Sequence, residues 1–296
     1  MIYRFNSITE YHRAAGLPKP AHPLISVVHM EDMTRPMAEA PYSIIFDFYS
    51  IAQKKMDLVK FKYGQQDSDF DEGVLFFMSP GQRFTIDAVQ AGHRPEGWMI
   101  LIHPDFLWHT NLAKTIKHYD FFSYAVHEAL HLSDKEKVQL TTIAGNIEQE
   151  YQTIDRFSQG VIIAQLELLL TYAERFYQRQ FITRKQNNHE ILGQLEALLD
   201  DHFAAKKGLP SVNLIAGQLH VSPGYLSSLL KSLTGLNTQQ HVHQKLIELA
   251  KEKLSTTQLT VSEIAYELGF EHLQSFSKLF KTKTSLSPLE FRQSFN

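Results

Sequence analysis

At 296 residues and 43% hydrophobic content, the chain is long enough for two domains with packed cores. It has no cysteine, which excludes disulfides, thiolate zinc sites and cysteine nucleophiles, and no apolar run of the roughly 18 residues that a membrane-spanning helix needs. The formal net charge of −3 conceals an asymmetry, because residues 206–296 carry ten Lys and Arg against six Asp and Glu, a balance of +4 that leaves −7 to residues 1–205. Charge of one sign gathered on one part of a chain is a modest footprint for a polyanion; an ordinary solvated helix face is the competing reading.

The N-terminus, "MIYRFNSITEYHRAAG", has no apolar segment before a small-residue cleavage site, so a cytoplasmic location is expected. Residues 40–110 read as strands: "PYSIIFDFYS", "MDLVKFKYG", "GVLFFMSPGQRFTI" and "WMILIHPDF" are β-branched and aromatic runs separated by Gly, Pro and Asp clusters. Short strands at that spacing predict a small antiparallel barrel or sandwich. The aromatics Phe46, Phe48, Phe61, Tyr63, Phe76 and Trp98 are candidates to line an effector cavity, or else plain core. Metal-dependent barrels gather two or three His and a carboxylate on adjacent strands. Here His93, His103 and His109 form no His-x-His pair, and His118, His127 and His131 lie beyond the strands, so no metal and no cofactor are expected.

The period then changes. Ser133 followed by Glu136 is a capping box, and helical spacing runs from there to about Tyr151. A second helix, roughly Phe157 to Arg179, carries Ile162, Leu166, Leu169, Leu170, Ala173 and Phe176 along one stripe. Residues 182–190 show little periodicity and read as a linker, which divides the chain into 1–181, 182–190 and 191–296. Everything after the linker is helical.

The C-terminal part contains an internal repeat. "LIAGQLHVSPGYLSSLLKSLTGLNTQQHV" aligns with "EIAYELGFEHLQSFSKLFKTKTSLSPLEFR": Ala216 with Ala265 and Leu219 with Leu268, then Ser227 with Ser277, Leu230 with Phe280 and Lys231 with Lys281. Each copy has its own start and stop signals. Thr260 and Glu263 open a helix at Val261, Gly269 turns the chain, and a new helix begins near Glu271 or His272. Ser222-Pro223 supplies an N-cap and first-turn residue to the corresponding helix of the first copy. Asn237 with Gln240, and Ser287-Pro288 with Glu290, close the two copies with capped helices. Phe276, Leu279 and Phe280 fall at i, i+3 and i+4 and are expected to be buried, which points His272, Gln274, Ser275, Lys278 and Lys281 outward. A face of amide, hydroxyl, imidazole and lysine at the N-terminal end of such a helix suits major-groove readout.

With "SEIAYELGF", "SFSKLFK" and "SLSPLEFR" in that order, residues 190–295 resemble the tandem helix-turn-helix domain of the AraC/XylS family of bacterial transcription regulators. The resemblance covers about a third of the chain. It implies double-stranded DNA as partner, with the later helix of each copy in the major groove and the middle helix holding the two about one DNA turn apart. By position, it implies base contacts from Gly224, Tyr225, Ser227 and Ser228 in the first copy and from His272, Leu273, Gln274, Ser275 and Lys278 in the second. Backbone contacts are implied for Ser222, Lys231, Ser277, Lys281 and Ser287. The first reading helix departs from the pattern in having no arginine, and Leu273 stands where a polar residue is usual, so it either touches a thymine methyl or packs inward.

The N-terminal half resembles, more weakly, the cupin-like sensing and dimerisation domains of the same family, through "GVLFFMSPGQRFTI" and "GWMILIHPDFL". This implies an effector-holding barrel and a homodimer formed through the helical hairpin, for which the Ile162–Phe176 stripe is the candidate face; packing on its own barrel is the alternative. The expected fold class is α+β: a cupin-like antiparallel β-barrel with a helical hairpin, then an all-α double helix-turn-helix domain. The expected function is a non-enzymatic transcription activator, controlled by a small effector or by dimerisation, with RNA polymerase as a further partner and no membrane association. A metal-dependent enzyme on a DNA tether and a protein-binding helix-turn-helix module are the readings from other classes.

Overall fold

A computed structural model describes residues 1–34, 42–54, 73–86, 96–124, 128–183, 185–205 and 207–294. The chain divides into two compact units, Met1–Gln180 and Phe181–Asn296.

The strands of the first unit, among the described residues, are β1 (Ile2–Phe5), β2 (Ile25–His29), β3 (Tyr42–Phe46), β4 (Tyr49–Lys54), β5 (Val74–Met78), β6 (Arg83–Ile86), β7 (Gly97–Ile102) and β8 (Leu130–His131). They form two sheets, one in the order β1-β3-β6 and one in the order β2-β7-β4-β5-β8. Pairing is antiparallel as expected, except that β1 lies parallel to β3. The exception follows from connectivity: the chain passes through the helix α1 (Ile8–Ala15) and through β2 before it returns beside β1, and parallel neighbours need such a crossover. Between β5 and β6, which belong to different sheets, the chain turns at Gly81, whose φ of 80° only glycine adopts cheaply. The run "MDLVKFKYG" lies outside the described residues.

One hydrophobic core joins the sheets, with Ile44 and Phe46 from the first meeting Val28, Ala52, Met99 and Leu101 from the second. The other face of the five-stranded sheet is covered by helices. The short α2 (Leu112–Thr115) precedes α3 (Asp134–Gln152) and α4 (Ser158–Thr183), and α3 opens with the Ser133–Glu136 capping box read from the sequence. The Tyr151 hydroxyl of α3 accepts from Val27 N–H at 2.9 Å, and Phe77 of β5 meets Phe121 at 4.3 Å between ring centroids. At the far end of α4, Gln180 accepts from His131 N–H at 2.8 Å and Arg179 donates to the His131 carbonyl at 2.7 Å, which ties β8 to the helix.

This packing corrects the expected dimer face. Ile162, Leu166, Leu169, Leu170, Ala173 and Phe176 are all buried within their own chain, Leu166 and Leu169 completely. The stripe is apolar because it closes the core of its own unit. The row on the opposite side of α4 is the exposed one, with Val161 and Leu168 at 42% and 43% and Phe157 just before the helix at 59%.

The candidate effector aromatics are likewise not brought together as one lining. Phe46 and Phe48 stack at 4.7 Å inside the intersheet core. Trp98 faces the opposite way, its indole N–H donating to Thr141 of α3 at 3.1 Å, because alternate residues of a strand point to opposite faces. Phe76 is half-buried, and Phe61 and Tyr63 lie outside the described residues. His93 and His127 also lie outside them, while His103 accepts from Asp105 N–H in a local turn. Among the described residues no cluster of three His, Asp or Glu is placed to hold a metal, and no helix is long and apolar enough to cross a membrane.

The second unit consists, after Phe181, of α5 (Lys185–Ala204), α6 (Val212–Gln218), α7 (Pro223–Thr234), α8 (Thr238–Thr256), α9 (Val261–Glu267), α10 (Leu273–Thr284) and α11 (Pro288–Gln293). The segment read as a linker is helical on both sides of Arg184: Ile182 and Thr183 end α4, and α5 runs on from Lys185. It contains neither glycine nor proline, so weak periodicity alone does not break the helix. The middle helix α8 packs against α7, α9 and α11, which centres the core on Val242, Leu246, Ala250 and Leu254.

A candidate nucleic-acid interface on the tandem helical unit

Each repeat is assembled by caps that the sequence carries openly. Ser222 accepts from Tyr225 N–H at 3.2 Å to start α7, and Pro223 follows as the first helical residue. Reciprocal capping boxes start α8 (Asn237 with Gln240), α9 (Thr260 with Glu263) and α11 (Ser287 with Glu290). The last two hold the Glu263 and Glu290 carboxyls below the ordinary range through hydrogen bonds from Thr260 and Ser287. Their stabilising contribution is therefore present above the ordinary carboxylate pKa and lost as pH falls through the depressed one.

Ala216 and Ala265 are fully buried, the small residues that let the paired helices cross closely. Phe276 and Phe280 are fully buried on α10, at the repeat positions of Leu226 and Leu230 on α7, and Phe280 meets Phe291 of α11 at 5.5 Å. Leu279 is only half-buried.

The opposite side of α10 is open. His272, Leu273, Gln274, Ser275, Lys278 and Lys281 are exposed, and Gln274, Lys278 and Lys281 align at i, i+4 and i+7. Leu273 is 38% exposed. Ser277 is half-buried, and Ser287 is occupied as the N-cap of α11, accepting from Glu290 N–H at 3.3 Å. Lys281 and Lys283 lie in the last turn, where cations also favour the helix dipole.

On α7 the expected set splits. Lys231 is exposed, and Gly224 and Ser228 are half-buried. Tyr225 is corrected: it is 6% exposed, with its ring 5.3 Å from Phe181. It stands one helical turn before Leu229 and so shares the core face. Ser227 is turned toward α8, its hydroxyl 3.0 Å from the Thr238 hydroxyl. The first reading helix thus offers a smaller polar surface than the second.

Sequence reading found Gly269, whose φ is 90°, but missed its counterpart. At the same repeat position the first turn uses His220 with φ 55°, and at the ends of the reading helices Gly235 (79°) is matched by Ser285 (65°). Each repeat thus has one glycine and one substituted residue at its two left-handed positions, and aligning the repeats would have exposed both. Ser285→Gly is expected to stabilise the unit by about 0.5–1 kcal/mol by relieving the left-handed cap, a gain that a thermal scan would register. A second feature was invisible in sequence: a Cβ on Gly269 would come within 2.4 Å of the Gly208 backbone, before α6, so the two repeats touch main chain to main chain.

Residues 215–294 match a protein family described as a helix-turn-helix domain. The transcriptional activator RhaS of Enterobacter sp. (strain 638) is 31% identical over 171 residues, 57% of this chain and 58% of that protein. These residues are thus similar to the helix-turn-helix domains of transcription regulators. The uncharacterised HTH-type transcriptional regulator YfiF of Bacillus subtilis (strain 168) is 28% identical over 141 residues, 48% of this chain and 43% of that protein. The chain thus spans less than two thirds of either relative's length. Among solved structures, the C-terminal domain of the response regulator AraT from Geobacillus stearothermophilus is 29% identical, covers 35% of this chain and 84% of that one, and has a TM-score of 0.33.

Proposed function

We propose that this chain is a sequence-specific DNA-binding transcription regulator of the AraC type, acting as an activator. The observation that carries the reading is the exposed row of Gln274, Lys278 and Lys281 on α10, held outward by the buried Phe276 and Phe280 within a duplicated helix-turn-helix unit. In this reading α10 enters the major groove with His272, Leu273, Gln274, Ser275 and Lys278 toward base edges, and Lys281 meets phosphate as the helix leaves the groove. α7 contributes Gly224, Ser228 and Lys231. A homodimer forms through the exposed row of α4, RNA polymerase is the further partner, and a small effector acts through the N-terminal unit.

Two substitutions separate base reading from attraction. A Gln amide pairs an adenine edge through both its groups, and losing such a pair costs roughly 1–3 kcal/mol of discrimination. Gln274→Ala should weaken binding to a site recovered from DNA crosslinked to the protein in cells much more than binding to random DNA. Lys281→Ala should weaken both about equally and lower the salt slope by about one unit. Electrophoretic titration at several salt concentrations measures both. Equal losses on both DNAs for Gln274→Ala would remove it from the reading set, and no loss for either variant would reject the groove placement of α10.

A further inference from the structure

The two reading helices are built on one frame. α7 and α10 each run for 12 residues, and each is followed by a residue in the left-handed conformation. Leu226 and Leu230 on α7 stand at the repeat positions of Phe276 and Phe280 on α10, and all four are fully buried. With the inward sides matched, the outward sides can be compared position by position along the repeat.

That comparison separates two kinds of contact. Lys281 has its counterpart in Lys231, and both are exposed in the last turns of their helices. Gln274 has its counterpart in Gly224, which has no side chain, and Lys278 has its counterpart in Ser228, which is short and half-buried. Ser275 is exposed, whereas Tyr225 at the same position turns its ring to Phe181. Ser227 spends its hydroxyl on Thr238 at 3.0 Å. The cation assigned to phosphate is thus present in both copies, and the long amide and ammonium side chains ahead of it are present in one. Reading a base edge takes a side chain long enough to cross from the helix to the groove floor and pair there. Attachment to phosphate takes only a cation on the flank, and it carries no sequence information.

We infer that the DNA footprint of each chain is asymmetric: α10 specifies a block of base identities, and α7 holds the neighbouring block by its backbone and accepts many sequences there. The inference rests on the proposed reading of the tandem unit as a DNA binder. It names the class of site that unit takes, one specified block beside a tolerant one roughly one DNA turn away.

The test uses the full chain to select duplexes from a random-sequence pool, and then measures affinity for every single-base change in the selected site. Changes in the specified block are expected to weaken binding about tenfold or more, and changes in the tolerant block about threefold or less. Variants assign the blocks to the helices. Gln274→Gly with Lys278→Ser copies the first repeat into the second at two exposed positions, and should flatten the preference of the specified block. Gly224→Gln with Ser228→Lys, the reverse exchange, should give the tolerant block a base preference that it lacked. Lys231→Ala should weaken binding to every duplex about equally and lower the salt slope by about one unit. Two blocks specified alike, a specified block that survives the exchange on α10, or unchanged binding in Lys231→Ala would overturn the inference and leave a sequence-specific regulator standing. A chain that binds no DNA, or binds all duplexes alike, would reject the regulator reading and the inference with it.

Discussion

Leu166→Glu is expected to unfold the N-terminal unit, whereas Leu168→Glu should leave it folded and split the proposed homodimer. The two positions are half a helical turn apart on α4 and face opposite ways: Leu166 is completely buried, and Leu168 is 43% exposed. A carboxylate at Leu166 must either ionise inside an apolar core or drag the helix off the sheet, a cost of at least about 4 kcal/mol set against a typical domain stability of about 5–15 kcal/mol. At Leu168 the same substitution touches no core, so its effect on folding should stay within about 0.5 kcal/mol. Its effect on association should be large, because two copies meeting along Phe157, Val161 and Leu168 would bury two like charges. Circular dichroism melts and sedimentation of both variants measure the pair of effects. A folded Leu166→Glu would contradict the packing of α4, and an undisturbed dimer in Leu168→Glu would move the interface elsewhere.

The second large effect is expected at the turn of the second repeat. Gly269→Ala should destabilise the C-terminal unit by about 2–5 kcal/mol. Roughly 1–2 kcal/mol comes from a left-handed backbone carrying a Cβ, and about 1–3 kcal/mol from forcing that Cβ into the Gly208 main chain, 2.4 Å away. The matched control is His220→Gly at the same repeat position, which is exposed and already left-handed. There the relief of strain and the added chain freedom nearly cancel, so a change within about 1 kcal/mol is expected. Denaturant titration of a 181–296 fragment compares them. Equal small effects would mean that the Gly208–Gly269 contact carries no weight.

The capped starts of α3, α7, α8, α9 and α11 are all legible in the sequence, because a cap is a local device: two residues three positions apart satisfy each other's backbone. Burial is legible where it is periodic, as at Phe276 and Phe280. What periodicity does not report is the partner. The stripe from Ile162 to Phe176 is as apolar as a dimer seam, and only the placement of the five-stranded sheet shows that the seam closes at home. Tyr225 shows the same limit from the other side, since its place in the reading helix is correct and its direction depends on Phe181, forty-four residues away. The segment expected to be a linker carries helix on both sides of Arg184 for a simpler reason: weak periodicity does not by itself break a helix.

The main-chain contact between Gly208 and Gly269 also bears on which bases matter in a target site. A joint made of two backbones has no side chain that can swing to a new rotamer, so the offset between α7 and α10 has little room to adjust. When two reading helices cannot shift to suit the duplex, the duplex must suit them. The base pairs lying between the two contacted grooves would then be selected by how cheaply they twist and bend, although no residue reaches them. Flexible pyrimidine–purine steps there should outperform stiff A-tracts even when every contacted base is unchanged.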